Sequence, residues 1–244
     1  MARRDPVPIT VVSTAMLAPR ARRVVFSGMN LPVSPLPGAF LSLWFSDPFA
    51  NGGTERRGRS KKRTFTVRSH DPASGMMTID FVLHGEGPAS TWASTATAAD
   101  TVWAGEAKGG YEVPPPGSHL VLVGDDTAIP AMGAILEAAD PSVRPTVIVE
   151  VVDRRDERAL TIARPVDPIW LHRGHDPGQT GLLALNLLES LAVPDDAFWW
   201  VAGERAAMLA IRDLLVDDRG IDRDHYSINA HWRLAAVDPR DRDG

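Results

Sequence analysis

The chain has 244 residues, 44% hydrophobic and 23% charged, a composition that supports one large core or two smaller ones and excludes a disordered chain. It has no cysteine, so disulfides, iron–sulfur clusters, thiolate metal sites and cysteine nucleophiles are excluded, and any redox chemistry falls to a bound cofactor. The net charge of −5 is uneven: residues 1–117 hold 13 Lys and Arg against 9 Asp and Glu, and residues 118–244 hold 13 against 22, so an anionic ligand suits the first half, although chance surface charge explains this equally well.

Met1-Ala2-Arg3-Arg4 opens like a signal peptide, but Pro6, Pro8, Thr10, Ser13 and Thr14 interrupt any apolar core behind it. No apolar run is long enough to span a bilayer. The expectation is a cytoplasmic monomer with no membrane insertion and, given the negative charge, no nucleic-acid partner.

Short β-rich runs follow at Val7–Val12, Arg22–Phe26, Phe40–Trp44, Thr64–Val67, Met76–Leu83 and Thr101–Ala104, separated by turn formers such as Pro35-Leu36-Pro37-Gly38 and Asp71-Pro72-Ala73-Ser74-Gly75. One helical stretch, Ala89–Ala98, lies among them. This half, 1–117, reads as an antiparallel β barrel. Pro114-Pro115-Pro116-Gly117 is a stiff connector and marks the domain boundary. From 118 to 244 the pattern alternates. Strands are expected at His119–Val123, Thr146–Val152 and Phe198–Ala202, and helices at Ile129–Ala139, Gly181–Leu191 and Arg205–Val216. Continuous apolar strands alternating with helices predict an α/β domain with a parallel sheet.

Three stretches carry chemistry. In Arg63-Thr64-Phe65-Thr66, alternate side chains of a strand share a face, so Arg63 and Phe65 go one way and Thr64 and Thr66 the other. An arginine grips a diphosphate with parallel hydrogen bonds, and an aromatic ring beside it offers a flat surface to a flavin. The plainer reading is a basic edge strand with a core phenylalanine. In His84-Gly85-Glu86-Gly87-Pro88-Ala89-Ser90-Thr91-Trp92 a strand ends in a glycine turn and enters a helix. The open amides there suit a phosphate, and Ser90 and Thr91 add hydroxyls; the plainer reading is ordinary capping and a turn histidine. In Val123-Gly124-Asp125-Asp126-Thr127-Ala128-Ile129-Pro130 the first parallel strand turns into a helix, the usual ligand crevice of such sheets or else a simple capped connection.

With Val201-Ala202-Gly203-Glu204 and His231-Trp232-Arg233 these stretches resemble, in order and from about Val7 to Trp232, the siderophore-interacting protein family of the ferredoxin reductase-like superfamily. The resemblance implies an FAD-binding barrel, an α/β domain for NADPH or NADH, and reduction of a ferric siderophore. It implies that Arg63 holds the FAD phosphates, that Thr64, Phe65 and Thr66 meet the flavin, that His84 lies near it, and that Gly87, Ala89, Ser90 and Thr91 cradle the diphosphate. Asp125 and Thr127 would face the cofactor cleft, and Gly203 and Glu204 the nicotinamide; Trp232 and Arg233 suit the flavin's exposed face, and a plain packing tryptophan is an equal reading. No protein residue is required as general acid or base.

The basic run ending Lys61-Lys62-Arg63 and, later, Arg233 would attract an anionic siderophore complex; a solvated loop is the plainer account. Glu150, Asp153, Arg154 and Arg155 place both an acid for a ribose diol and an arginine for a 2′-phosphate after the second strand, so the nucleotide stays undecided. The chain departs from the family pattern at Phe65, where tyrosine is usual, at Ala99-Asp100 for Gly-Asp, at Gly105-Glu106-Ala107-Lys108-Gly109 for Gly-Pro-x-Gly, and at His231 for tyrosine. The rival readings are a flavin reductase with another acceptor and a siderophore- or flavin-binding protein without turnover.

Overall fold

The computed structural model describes residues 4–46, 62–84, 87–160 and 166–234. By contact the chain forms two compact units: Met1–Pro116 with Ile129–Pro141 and Arg155–Pro165, and Gly117–Ala128 with Ser142–Arg154 and Val166–Gly244.

The first unit holds β1 (Val7–Ala18), β2 (Ala21–Ser27), β3 (Phe40–Trp44), β4 (Lys62–Thr66), β5 (Ser69–Asp71), β6 (Met76–Val82), helix α1 (Pro88–Thr95) and β7 (Thr101–Ala104). They make one antiparallel sheet in the order β4-β3-β7-β1-β2-β6-β5. Period-two alternation turns Ile9, Val11, Val24, Phe26, Leu41, Leu43, Met77, Ile79, Phe81 and Val102 into a common core. The sheet curls, because Phe65 of β4 meets Phe81 of β6 with ring centroids 4.6 Å apart and Arg68 N donates to Thr78 O at 2.9 Å.

The first unit also takes in α2 (Ile129–Ala138). Glu137 accepts both terminal nitrogens of Arg68, at 2.7 and 2.5 Å, and a Cβ on Gly38 would sit 3.6 Å from Ala131.

One departure from the family pattern has a visible backbone consequence. Ala99 adopts φ 75°, a left-handed conformation that glycine takes without penalty and that costs alanine about 1 kcal/mol. It persists because Ala99 N donates to Val11 O at 2.9 Å and Asp100 accepts Thr97 N at 2.7 Å. Ala99→Gly is expected to raise unfolding stability by about 0.5–1 kcal/mol, read as a higher denaturation midpoint. The other altered turn is tightly built: a Cβ on Gly109, at φ +68°, would lie 2.5 Å from Phe40 Cε1.

The second unit holds β8 (His119–Asp125), β9 (Arg144–Val151), β10 (Ile169–His172), α3 (Leu182–Ser190), β11 (Phe198–Glu204), α4 (Arg205–Asp213) and β12 (Tyr226–Trp232). All five strands are parallel, in the order β10-β9-β8-β11-β12. From β8 the chain moves outward to β9 and β10, then returns to β11 on the other side. The strand order therefore reverses between β8 and β11, and the crevice outside the carboxyl ends at such a reversal is where α/β sheets take ligands. Trp199, fully buried on β11, anchors the core with Val121, Val123, Ile148, Leu188 and Ile211. No helix of the described residues is long and apolar enough to cross a membrane.

Candidate functional site

β4 exposes Lys62, Arg63 and Thr64 and half-buries Phe65 and Thr66. Phe65 sits opposite buried Leu41, and Arg63 opposite buried Leu43. Arg63 stays in solvent, its guanidinium donating to Lys62 O at 2.9 Å. The Lys62 ammonium stands 5.8 Å from the Trp44 ring centroid, a cation–π contact. Lys61 lies outside the described residues, as do Gly85 and Glu86. His84 is exposed just beyond β6, where Leu83 N donates to Arg20 O at 2.8 Å.

α1 begins at Pro88, with exposed Gly87 as its N-cap and no side chain capping it. The Thr91 amide donates to Gly87 O at 2.9 Å. The amides of Ala89 and Ser90 come too early in the helix to find an acceptor within it. Ser90 is buried, against the expectation of an open hydroxyl, while Ala89 is half-buried and Thr91 exposed. The other end is clamped by Arg22 of β2, which donates to the carbonyls of Ala93 (3.0 Å), Ser94 (2.5 Å) and Ala96 (2.8 Å). A cation on the last carbonyls completes that end and fixes the helix on its sheet.

An aromatic cluster joins the two elements. Phe65 packs on Phe45 and Phe81, with centroids 6.1 and 4.6 Å away, and Trp92 of α1 packs on the same two rings at 5.4 and 5.7 Å. Phe65 is thus partly engaged by protein rings. The residues fit a dinucleotide's diphosphate: an exposed guanidinium and an uncapped helix start are held by one rigid cluster, and a Cβ added at Gly87 would meet nothing within 4 Å.

In the second unit Asp125, at the end of β8, gathers most of the remaining candidates. It is 3% exposed. Its Oδ1 accepts the Thr127 amide at 2.9 Å and the Thr127 hydroxyl at 2.5 Å; its Oδ2 accepts the Glu204 amide at 3.1 Å and the Trp232 indole N–H at 2.8 Å. A Cβ on Gly203 would lie 2.8 Å from that Oδ2, so the position needs glycine. The Asp125 carboxylate is therefore spent on the protein and fixes Thr127, Gly203, Glu204 and Trp232 against one another. Glu204 accepts the Ala206 and Ala207 amides at the start of α4 and, through Oε1, the Leu234 amide at 3.0 Å. Exposed His231 reaches the Thr127 hydroxyl at 3.3 Å, and Arg233 is exposed beyond β12.

Glu150 departs from its expected position facing a ribose. It is 1% exposed and caps α3, accepting Gly181 N at 2.6 Å and Ala184 N at 3.3 Å. Gly181 has φ +87°, and a Cβ there would fall 2.1 Å from that of Ala207. Arg173, not singled out in the sequence, donates to Glu150 O at 3.1 Å and to buried Asp126 at 2.9 Å. A cavity of about 10 Å³, room for one water, lies among Asp125, Glu150, Thr180, Gly181 and Glu204. Burial pushes the Asp125 and Glu150 carboxyls above their ordinary range, and the Asp125 charge adds to the shift at Glu150.

A seven-stranded antiparallel sheet followed in the chain by a five-stranded parallel sheet is the ferredoxin reductase-like fold. A ferredoxin NADP+ reductase of Neisseria gonorrhoeae shares it, with a TM-score of 0.66 at 17% identity over 94% of this chain and 100% of that one. Residues 10–110 match the siderophore-interacting FAD-binding domain, and residues 117–235 match the siderophore-interacting protein model. A siderophore utilization protein of T. fusca superposes with a TM-score of 0.81 at 30% identity, covering 97% of this chain and 96% of that one. The ferric vibriobactin reductase ViuB of Vibrio cholerae is 31% identical over 175 residues, 70% of this chain and 64% of ViuB. The chain belongs to the siderophore-interacting protein family.

Proposed function

We propose that the protein is an FAD-dependent oxidoreductase that takes reducing equivalents from a nicotinamide nucleotide and reduces ferric siderophores, releasing ferrous iron in the cytoplasm. The observation that carries this reading is the shared anchoring of β4 and α1 on Phe45 and Phe81, which ties the strand bearing exposed Arg63 and the uncapped helix start to one aromatic cluster. Support for the substrate comes from the likeness to ViuB.

FAD, when bound, supplies acceptance of a hydride and its passage onward as single electrons. The protein's residues do the rest. Arg63 and the first turn of α1 bind the diphosphate. Phe65 and Thr66 orient the flavin ring. The carboxyl edge of the parallel sheet, rigidified by Asp125, receives the nicotinamide nucleotide, and Lys62 and Arg233 attract the anionic iron complex. One nicotinamide reduces two ferric ions. Siderophore oxygens are hard ligands that favour ferric over ferrous iron, so reduction loosens the metal without a protein acid or base.

Steady-state trapping of ferrous iron tests the reading. Purified protein with FAD and a nicotinamide nucleotide is expected to reduce ferric catecholate or hydroxamate complexes. If the flavin turns over only with ferredoxin or a quinone, a different acceptor is the substrate; if it takes up FAD and never turns over, the protein is a binder.

A further inference from the structure

The strand next to the first parallel strand ends where such sheets meet the adenosine ribose of a nicotinamide nucleotide. A carboxylate there accepts from the free diol of NADH and repels a 2′-phosphate, whereas an arginine holds the 2′-phosphate of NADPH. That strand is β9, which pairs with β8 and runs out through Glu150-Val151-Val152-Asp153-Arg154.

The structure withdraws acids from this edge. Glu150 has both oxygens on the amides that open α3, and only 1% of the residue is exposed. Asp126, on the turn after β8, is buried and neutralised by Arg173. Asp153 is half-buried and has a partner. Arg154 is different: it is exposed and makes no hydrogen bond or ion pair with another described residue. The backbone beneath it is secured, since Arg173 N and Gly174 N donate to Val151 O and Val152 O, each at 3.0 Å. A guanidinium with no partner among the described residues, on a fixed backbone and with Glu150 and Asp126 buried on protein partners, has the charge and the paired donors that a phosphate dianion takes.

We propose that Arg154 is the specificity-determining residue for the nucleotide and selects a 2′-phosphorylated one, NADPH, over NADH. The inference rests on the reading that the parallel-sheet unit takes a nicotinamide nucleotide.

Calorimetric titration of the FAD-loaded protein with NADP+ and with NAD+, alongside kcat/KM for NADPH and NADH, tests it. NADP+ is expected to bind at least about 10-fold more tightly than NAD+, the size of one charge-assisted hydrogen-bond pair. R154A is expected to bring the two within about 3-fold of each other by weakening NADP+ alone, and R154K to restore part of the preference as a point charge. Circular dichroism of R154A is expected to match the parent, since the exposed side chain bonds to no other described residue. A parent protein that binds NAD+ as well as NADP+, or an R154A variant that keeps the parent's preference, overturns the assignment. If neither nucleotide binds nor bleaches the flavin, the nicotinamide reading falls and the assignment with it, an outcome distinct from a preference for NADH.

Discussion

Arg63→Ala is expected to weaken FAD binding by about 10- to 100-fold, because the guanidinium's charge-assisted bonds to the diphosphate are worth roughly 1.5–3 kcal/mol. Arg63 is exposed, and its one described hydrogen bond, to Lys62 O, is local. Nothing in the core depends on it, so the unfolding midpoint of the FAD-free variant is expected to stay within about 0.5 kcal/mol of the parent. Arg63→Lys keeps a charge and loses the planar fork, so its affinity should fall between the two. Flavin fluorescence quenching on titration reads all three proteins. Unchanged affinity in the alanine variant would remove β4 from the cofactor site.

Asp125→Ala has the opposite signature: a large loss of stability with FAD affinity retained. Four donors lose their acceptor at once, namely the amides of Thr127 and Glu204, the Thr127 hydroxyl and the Trp232 indole N–H. Stranding buried donors costs roughly 1–3 kcal/mol each, less where water enters, so a loss of about 3–5 kcal/mol is expected in urea unfolding. Flavin reduction by the nicotinamide nucleotide should fall with it.

Asp125→Asn removes the charge and also turns one acceptor oxygen into a donor facing two donors, so it is less stable at every pH and only its pH dependence reports on the charge. The native carboxyl binds a proton at a pH where the unfolded chain has already lost it, since burial raises it from the ordinary value of 3.8. Its stabilising proton uptake is therefore complete below the unfolded pKa and is lost as pH rises through the folded one. The asparagine variant lacks this and should show a flatter decline of stability with rising pH above about 4. Glu150, raised in the same direction, keeps some of the slope in place.

Which parts of this were legible in the chain follows from how local each signal is. Phe40–Trp44 and Thr101–Ala104 form strands with the expected bounds, because β-rich alternation between turn formers is a short-range pattern. α1 ends earlier than the expected Ala98, since Asp100 takes the Thr97 amide and closes a turn there. β5 and β10 escaped notice at three and four residues, and β12 because its alternating Tyr-Ser-Ile-Asn-Ala-His-Trp lacks the apolar run of a central parallel strand. The helix start at Gly87–Ser90 was readable for the same local reason. The roles of Asp125 and Glu150 were not. Asp125 meets Glu204 and Trp232 across 79 and 107 residues, and Glu150 meets Gly181 across 31, and no spacing rule announces such pairs. The sequence places both acids at strand ends, Asp125 as a cleft residue or a plain cap and Glu150 as one of several nucleotide candidates; in the fold both are engaged by protein donors.

The most direct measurement is an anaerobic single turnover followed by visible absorbance. FAD-loaded protein mixed with NADPH should lose its flavin band, and a ferric catecholate siderophore added next should restore it while ferrous iron accumulates at two per flavin. A flavin band untouched by either nicotinamide nucleotide, or one that is bleached and then stays bleached in the presence of every ferric siderophore offered, contradicts the account.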